Sequence, residues 1–260
     1  MRVVVLVKQV PDTWSPKRLR PGDFLLDRAA ADGVVNELDT YAVEEALRIK
    51  EKHDDTTVIA LTMGPPPAVE VVRKALQMGA DEGVHVVDDA LAGSDAMVSS
   101  LVLAAAIERI GFDLVITGVE STDARMGVLP AMLAERLGAA QATLAAEVKV
   151  DGREISVRRL AGGREFDVVA PLPAVVSVVE KINEPRYPSF KGIMAAKSKP
   201  LTTLSAADLG LDSNRVGLAG SATEVVAAEE RSAERARVVI HDEGDAAARI
   251  VEFLASRKLL

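Results

Sequence analysis

The segment GVESTDARMG, residues 118–127, holds the residues of this chain best suited to bind an anion. It joins an apolar run to a helical pattern. Its small, hydroxyl and acidic residues are Gly118, Ser121, Thr122, Asp123 and Gly127. Small residues let the backbone approach a ligand, and N–H groups at a helix start can hold a phosphate. The same residues also cap helices without any ligand, and capping alone is their commoner role.

A second candidate is the segment VVNELD, which leads into another helical pattern. Asn36 lies three residues before Asp39, so the pair can be a capped helix start and nothing more. Alternatively, both side chains face the same crevice as residues 118–127. Neither segment matches a Walker sequence or the G-x-G-x-x-G pattern, so the chain lacks the two commonest phosphate-binding motifs.

No catalytic constellation is present in the sequence. The acidic pairs Glu44–Glu45 and Asp88–Asp89 fall on predicted surfaces, where we interpret them as solvated charges. There is no cysteine, and the three histidines do not have the spacing of metal ligands, so we expect no metal site. A nucleotide crevice without catalytic groups indicates a binding or carrier protein rather than an enzyme.

Composition and charge exclude further functions. The net charge of −8 argues against general nucleic-acid binding, which needs a basic surface. No apolar run reaches the length of a membrane span, and the start of the chain does not read as a signal peptide, so we expect a cytoplasmic protein.

The elements that must position these residues follow from the hydrophobic pattern. Apolar β-branched runs alternate with helical patterns in the first half of the chain. Strands are predicted at 2–7, 56–62, 83–87 and 113–118, and helices at 36–52, 68–80, 94–110 and 127–138. The alternation predicts an α/β fold of the Rossmann-like, adenine-nucleotide-binding type, a parallel sheet with helices on both faces.

The second half of the chain changes character. Asp151 and Gly152 form a hairpin signal between extended runs that span 148–179, which predicts added antiparallel strands. After Lys199 the sequence reads as an extended C-terminal arm with one last helix. We therefore place a nucleotide-binding domain at 1–199 and the arm at 200–260. The arm is either a loosely packed terminus or a limb that wraps another protein.

The segment INEPRYPSFKGIMAAKSKPL carries a family resemblance. It resembles the signature of the beta (small) subunit of electron-transfer flavoproteins. The matching residues are Asn183, Pro185, Arg186, Tyr187, Ile193, Met194, Ala196 and Lys197. VLVKQVPDT, AVEEALRIKEK, ALQMGADEGVHV and GVESTDARMGVLPAMLAERLG resemble further family segments in the same order, so the resemblance covers nearly the whole chain.

The resemblance implies an electron carrier without catalytic residues of its own. Such a beta subunit forms a heterodimer with an alpha subunit, which holds most of the FAD and is wrapped by the arm. The heterodimer accepts electrons from dehydrogenases, such as the acyl-CoA dehydrogenases of fatty acid beta-oxidation. It passes them to a quinone oxidoreductase or another acceptor. The beta subunit binds AMP as a structural cofactor.

The resemblance also assigns residues to the AMP site. The cofactor-binding residues that it implies are Leu6, Asn36, Glu37, Leu38, Asp39, Met63, Gly118, Ser121, Thr122, Asp123, Ala124, Arg125, Met126, Gly127, Val128 and Leu129. The loop at 118–127 is shorter than the commoner family pattern. Arg125 is extra in it, and its side chain either pairs with phosphate or points into solvent.

The family's recognition loop corresponds to residues 183–197 and docks on the donor dehydrogenase. The partner-docking residues that the resemblance implies are Asn183, Pro185, Arg186, Tyr187, Phe190, Ile193 and Met194. Phe190 falls where the family places an apolar anchor, and an exposed aromatic side chain can bury a large area on a partner. The prolines stiffen the loop and lower the entropy lost on docking.

Two alternatives remain open from the sequence. In electron-bifurcating members of the family, the AMP pocket holds a second FAD. A different reading is a stand-alone protein of similar fold that binds or hydrolyses adenine nucleotides. Such a compact hydrolase would need neither the segment 183–197 nor the C-terminal arm.

Overall fold

A computed structural model describes residues 1–180, 182–229 and 238–260. The chain forms two compact units, Met1–Val225 and Val226–Leu260. The charged stretch that the sequence assigns to the arm at 230–237 lies outside the described residues.

The first unit is built from alternating strands and helices. The strands are β1 (Arg2–Leu6), β2 (Gln9–Pro11), β3 (Gly33–Val35), β4 (Thr57–Met63), β5 (Glu82–Val86), β6 (Leu114–Gly118), β7 (Ala140–Asp151), β8 (Glu154–Ala161), β9 (Arg164–Pro171), β10 (Ala174–Val178) and β11 (Leu201–Leu204). The helices are α1 (Glu37–Lys52), α2 (Val69–Met78), α3 (Ala96–Ile110), α4 (Leu129–Leu137), α5 (Phe190–Ala196) and α6 (Gly217–Gly220). Single 3-10 turns lie at Arg28–Ala30, Pro66–Ala68, Asp89–Leu91, Ala207–Leu209 and Ser213–Arg215.

Nine of these strands form one sheet, in the order β11-β5-β4-β1-β6-β10-β7-β8-β9. The strands from β11 to β7 pair in parallel. The predicted hairpin at Asp151–Gly152 joins β7 to β8 in an antiparallel pair, and β9 pairs antiparallel with β8. The chain runs outward from β1 through β4 to β5 and then crosses to β6 on the other side of β1. The strand order therefore reverses between β1 and β6.

Two apolar clusters cover the faces of the sheet. Successive residues of β1 point to opposite faces, so Val3 packs with α1 and α2, whereas Val4 packs with α3 and α4. The structure confirms the predicted fold class, a mostly parallel sheet with helices on both faces and added antiparallel strands.

The predicted domain boundary at residue 199 is wrong. Leu201–Leu204 adds to the sheet as its edge strand, in parallel register with β5, and the first unit continues to Val225. A four-residue strand is too short to show a clear hydrophobic period, so this strand could not be predicted from the sequence. The long loop after β1 also contains a small two-stranded sheet of β2 and β3, where the sequence predicts no strand.

The second unit contains α7 (Ala246–Ser256). The side chains of Ile250 and Val251 are exposed, whereas Phe253 and Leu254 are half-buried. The guanidinium of Arg257 lies 5.4 Å from the ring centroid of Phe253, which is a weak local contact at the end of the helix.

Candidate functional site

The candidate crevice lies at the carboxyl ends of β1 and β6, where the strand order reverses. In open parallel sheets this is the position at which ligands bind. The strand β1 ends at Leu6 and leads to Lys8, and β6 ends at Gly118 and leads into residues 119–128. The first turn of α1 meets both segments.

Asn36 joins the start of α1 to the loop after β6. This residue is fully buried. Its Nδ2 donates to the carbonyl of Glu120 at 2.9 Å, and its Oδ1 accepts from the backbone N–H of Thr122 at 3.1 Å. Asn36 lies at the N-cap position of α1, but its side chain makes no cap hydrogen bond. The structure therefore brings together the two segments that the sequence singled out, and the side chain of Asn36 holds the loop.

Asp123 is buried between two cations. Its side chain is only 2% exposed, and its oxygens lie 2.8 Å from Lys8 Nζ and 2.9 Å from the guanidinium of Arg28. Burial opposes its ionisation, but the charge and hydrogen bonds of Lys8, Ser121 and Arg28 outweigh burial and hold the pKa of Asp123 well below its usual range. The ion pairs of the Asp123 carboxylate therefore stabilise the loop.

Three cations that contact this loop were not predicted from the sequence: Lys8, Lys17 and Arg28. Lys8 Nζ also donates to Ser121 Oγ at 3.1 Å, and Lys17 Nζ donates to the carbonyl of Thr122 at 3.2 Å. These residues lie about a hundred positions away in sequence, so no local spacing could have linked them to Asp123.

Asp39 is buried in the first turn of α1. Its Oδ2 accepts from the backbone N–H of Lys8 at 2.8 Å. Burial is the dominant effect on this carboxyl and raises the pKa of Asp39 to about 7, although hydrogen bonds from Asn36 and Lys8 act in the opposite direction. The group therefore gains or loses its charge near neutral pH.

Three features of the crevice bear on ligand binding. A Cβ on Gly118 would lie 2.6 Å from Asp39 Oδ1 and 2.8 Å from the carbonyl carbon of Leu38, so only glycine allows the segments to approach this closely. The hydroxyl of Thr122 is buried without a hydrogen-bond partner among the described residues. The nine-residue helix α4 begins at Leu129, directly after this loop.

The other residues assigned to the crevice differ in exposure. Buried or half-buried are Leu6, Leu38, Met63, Ser121, Val128 and Leu129, and exposed are Glu37, Ala124, Arg125, Met126 and Gly127. The side chain of Arg125 is 71% exposed and lies 3.8 Å from Glu120. The guanidinium of Arg125 therefore lies beside a carboxylate.

The segment 183–197 is not an irregular loop throughout, because residues Phe190–Ala196 form α5. Ser189 caps this helix, with its Oγ accepting from the N–H of Gly192. Tyr187 is 94% exposed and Phe190 is 81% exposed. Met194 is also exposed, Ile193 less so, and Pro185 is half-buried.

Asn183 and Arg186 behave differently from these exposed residues, since both bond to α1. Arg186 contacts Glu44 and Glu51, and Asn183 contacts Glu45. The prediction that Glu44 and Glu45 are solvated charges is therefore wrong: both are buried beneath the segment 183–186. Glu44 and Glu45 lie beside the apolar face of α1, and residues 183–186 cover them.

Among the described residues, no group of three or more His, Cys, Asp or Glu side chains could hold a metal ion. Within the same residues, we find no helix with the length and apolar character needed to cross a membrane.

Comparisons with known proteins place this architecture in a family. Residues 23–209 match the family described as electron transfer flavoprotein domain. The electron transfer flavoprotein subunit beta of Mycobacterium leprae is 49% identical over 263 residues, which cover 99% of each chain. The chain belongs to the electron transfer flavoprotein family as a beta subunit. The subunit beta of Mycobacterium bovis is similar to this electron transfer flavoprotein chain to nearly the same degree, at 48% identity and 99% coverage.

A more distant relative carries a different name. The protein named caffeyl-CoA reductase-Etf complex subunit CarD, from Acetobacterium woodii, is 36% identical over 227 residues, or 86% of each chain. The family resemblance that rested on the segment 183–197 and its companions is thus confirmed over the full chain.

Proposed function

We propose that this chain is the beta subunit of a heterodimeric electron carrier. The alpha subunit holds most of an FAD, and the C-terminal arm with α7 wraps that subunit. The heterodimer takes electrons from dehydrogenases such as acyl-CoA dehydrogenases and delivers them to a quinone oxidoreductase or another acceptor. The match to beta subunits over 99% of both chains carries this proposal.

The chain's own part in this function is binding and positioning. FAD supplies the electron-accepting chemistry when it is bound, and the beta subunit places that cofactor and its partners. The exposed tip formed by Tyr187 and Phe190 docks on the donor dehydrogenase. Two aromatic rings at a capped helix start give a partner a large apolar area at a small contact, which suits a short-lived redox complex.

We assign AMP to the crevice between α1 and the loop after β6. Thr122 Oγ1 offers a buried hydroxyl with no partner among the described residues, and Gly118 lets the end of β6 lie close against the first turn of α1. The N-terminus of α4 favours an anion such as the AMP phosphate. Asp123 already neutralises much of the charge of Lys8 and Arg28, so this loop suits one phosphate better than a longer pyrophosphate.

Co-expression with the alpha subunit tests the assignment directly. We expect a yellow heterodimer from which denaturation releases one FAD and one AMP per complex. Two FAD molecules and no AMP would instead favour the bifurcating alternative. A colourless chain that purifies alone and hydrolyses ATP would overturn the carrier function.

A further inference from the structure

The signature arginine of the docking segment is directed into the protein. Arg186 Nε donates to Glu44 Oε2 at 2.8 Å and Nη2 donates to Glu44 Oε1 at 2.9 Å, so the two side chains form a bidentate pair. The backbone N–H of Arg186 also donates to Glu44 Oε2 at 3.1 Å. Its remaining Nη1 donates to Glu51 Oε1 at 2.6 Å. A bidentate pair fixes orientation as well as distance.

Asn183, three residues before Arg186, makes a second contact between the same segment and α1. Asn183 Nδ2 donates to the carbonyl of Tyr41 at 3.0 Å and to Glu45 Oε2 at 3.0 Å. Glu44 and Glu45 are adjacent on α1, and both are buried. The segment is therefore held at two points on one helix, immediately before the exposed Tyr187.

The pKa shifts of Glu44 and Glu45 reflect the balance between burial and the hydrogen bonds from their partners. Burial opposes ionisation of Glu44, but the hydrogen bonds and charge of Arg186 outweigh it, so the pKa of Glu44 lies below its ordinary value. Burial raises the pKa of Glu45, and its hydrogen bond from Asn183 offsets this only in part. Removal of Arg186 would leave Glu44 as a buried charge with only Arg48 beside it, at 3.3 Å.

The other end of the segment is fixed against α2. A Cβ on Gly192 would lie 2.5 Å from the carbonyl oxygen of Gln77, so α5 packs directly on the backbone of α2. Lys199 Nζ donates to the carbonyls of Leu76 and Ala80 at 2.9 and 2.6 Å and closes the end of α2. Tyr187 and Phe190 thus project from a short stretch that is held on both sides.

We propose that Glu44 and Arg186 are positioning residues, which hold Tyr187 and Phe190 in the orientation that the donor dehydrogenase accepts. Arg186 makes its bonds within the beta subunit and does not itself contact the partner. This inference rests on the proposed docking function. Fixing the segment in advance removes the entropy that two free aromatic side chains would lose on docking.

The test measures electron transfer from a purified acyl-CoA dehydrogenase to the intact heterodimer. Arg186→Gln and Glu44→Gln should each raise the KM for the heterodimer on the order of ten-fold, which is the effect of leaving the two aromatic side chains unordered before docking. The FAD content and kcat should stay near the unmodified values. Glu51→Gln is the matched control, because it removes an exposed acid from the same guanidinium and should have little effect.

A double-mutant cycle separates positioning from direct contact. In a background that carries both Tyr187→Ala and Phe190→Ala, Arg186→Gln should change KM by less than about two-fold, because both side chains that it positions are gone. If Arg186 contacts the partner itself, the two factors multiply, and the proposal is refuted. If Arg186→Gln does not assemble with the alpha subunit, Arg186→Lys keeps the charge without the bidentate geometry and is measured in its place.

Hydrogen exchange distinguishes failure of this inference from failure of the proposed function. Arg186→Gln should speed amide exchange in residues 187–196 of the heterodimer, and Glu51→Gln should not. If the unmodified heterodimer accepts no electrons but this exchange difference appears, the docking function fails while the positioning of the segment stands. If electrons are accepted and the exchange rates are unchanged, the positioning role is refuted.

Discussion

Replacement of Phe190 by alanine tests the docking segment at an exposed apolar side chain. The ring is 81% exposed at the first residue of α5, and its backbone position is set by the Ser189 cap. Truncation therefore removes apolar area that only a partner could bury. We expect the heterodimer to keep its fold, its FAD and its AMP, because the ring contributes little to the packing of its own chain.

The magnitude follows from the area that the ring offers. Full burial of a phenylalanine side chain contributes about 1.5–3 kcal/mol. Loss of that contribution weakens the encounter with the donor by roughly ten-fold to a hundred-fold. The loss should appear in KM for the heterodimer, since electron transfer itself depends on the distance between redox centres once the complex has formed.

The assay follows reduction of the heterodimer by a purified acyl-CoA dehydrogenase and its substrate, over a range of heterodimer concentrations. Phe166→Ala provides a matched control, because Phe166 is a 44% exposed phenylalanine on β9 and is assigned no part in docking. Equal effects of the two substitutions, or no effect of Phe190→Ala, would refute the reasoning. Dissociation of the heterodimer on Phe190→Ala would show that the ring is structural.

Gly118→Ala should lower the AMP recovered from the heterodimer and destabilise the fold by about 1–3 kcal/mol, because its Cβ would lie 2.6 Å from Asp39 Oδ1; nucleotide analysis and thermal unfolding measure both. An unchanged AMP content would place the nucleotide elsewhere. Asp39→Asn should flatten the dependence of stability on pH. The pKa of Asp39 is about 7 in the fold against an ordinary 3.8, so its favourable contribution is complete below pH 4 and is lost as the pH rises through 7, by at most about 4 kcal/mol. Denaturant unfolding at pH 5 and pH 8 reports the change, and parallel curves for both proteins would contradict it. Gly192→Ala should loosen α5 and raise its amide exchange, because a Cβ there would lie 2.5 Å from the carbonyl oxygen of Gln77; unchanged exchange would contradict this close packing.

The sequence predicted the architecture because its local signals agree with one another. Buried parallel strands read as continuous β-branched runs, and β1 and β6 are such runs. The hairpin at Asp151–Gly152 follows from turn chemistry alone. The proximity of Asn36 to residues 118–127 could also be predicted. Crevices form at the carboxyl ends of parallel strands, and this rule places the two segments at the same edge of the sheet.

The sequence could not show features that depend on contacts between distant segments. Glu44 and Glu45 look solvent-exposed on a helical wheel, and only the segment 183–186 folding over α1 buries them. The cations around Asp123 come from a loop without regular period. The strand Leu201–Leu204 is too short to carry a pattern of its own, and its pairing with β5 decides its role. In each case, the feature depends on a tertiary contact and not on the local sequence.

The most direct test of the central claim is anaerobic mixing of the purified heterodimer with an acyl-CoA dehydrogenase and its substrate. If this chain is half of an electron carrier, the visible absorbance of the oxidised flavin should fall as electrons enter. It should recover when a quinone oxidoreductase and quinone are added. A flavin that stays oxidised with every acyl-CoA dehydrogenase and substrate supplied, in a heterodimer with its full FAD content, would contradict the account.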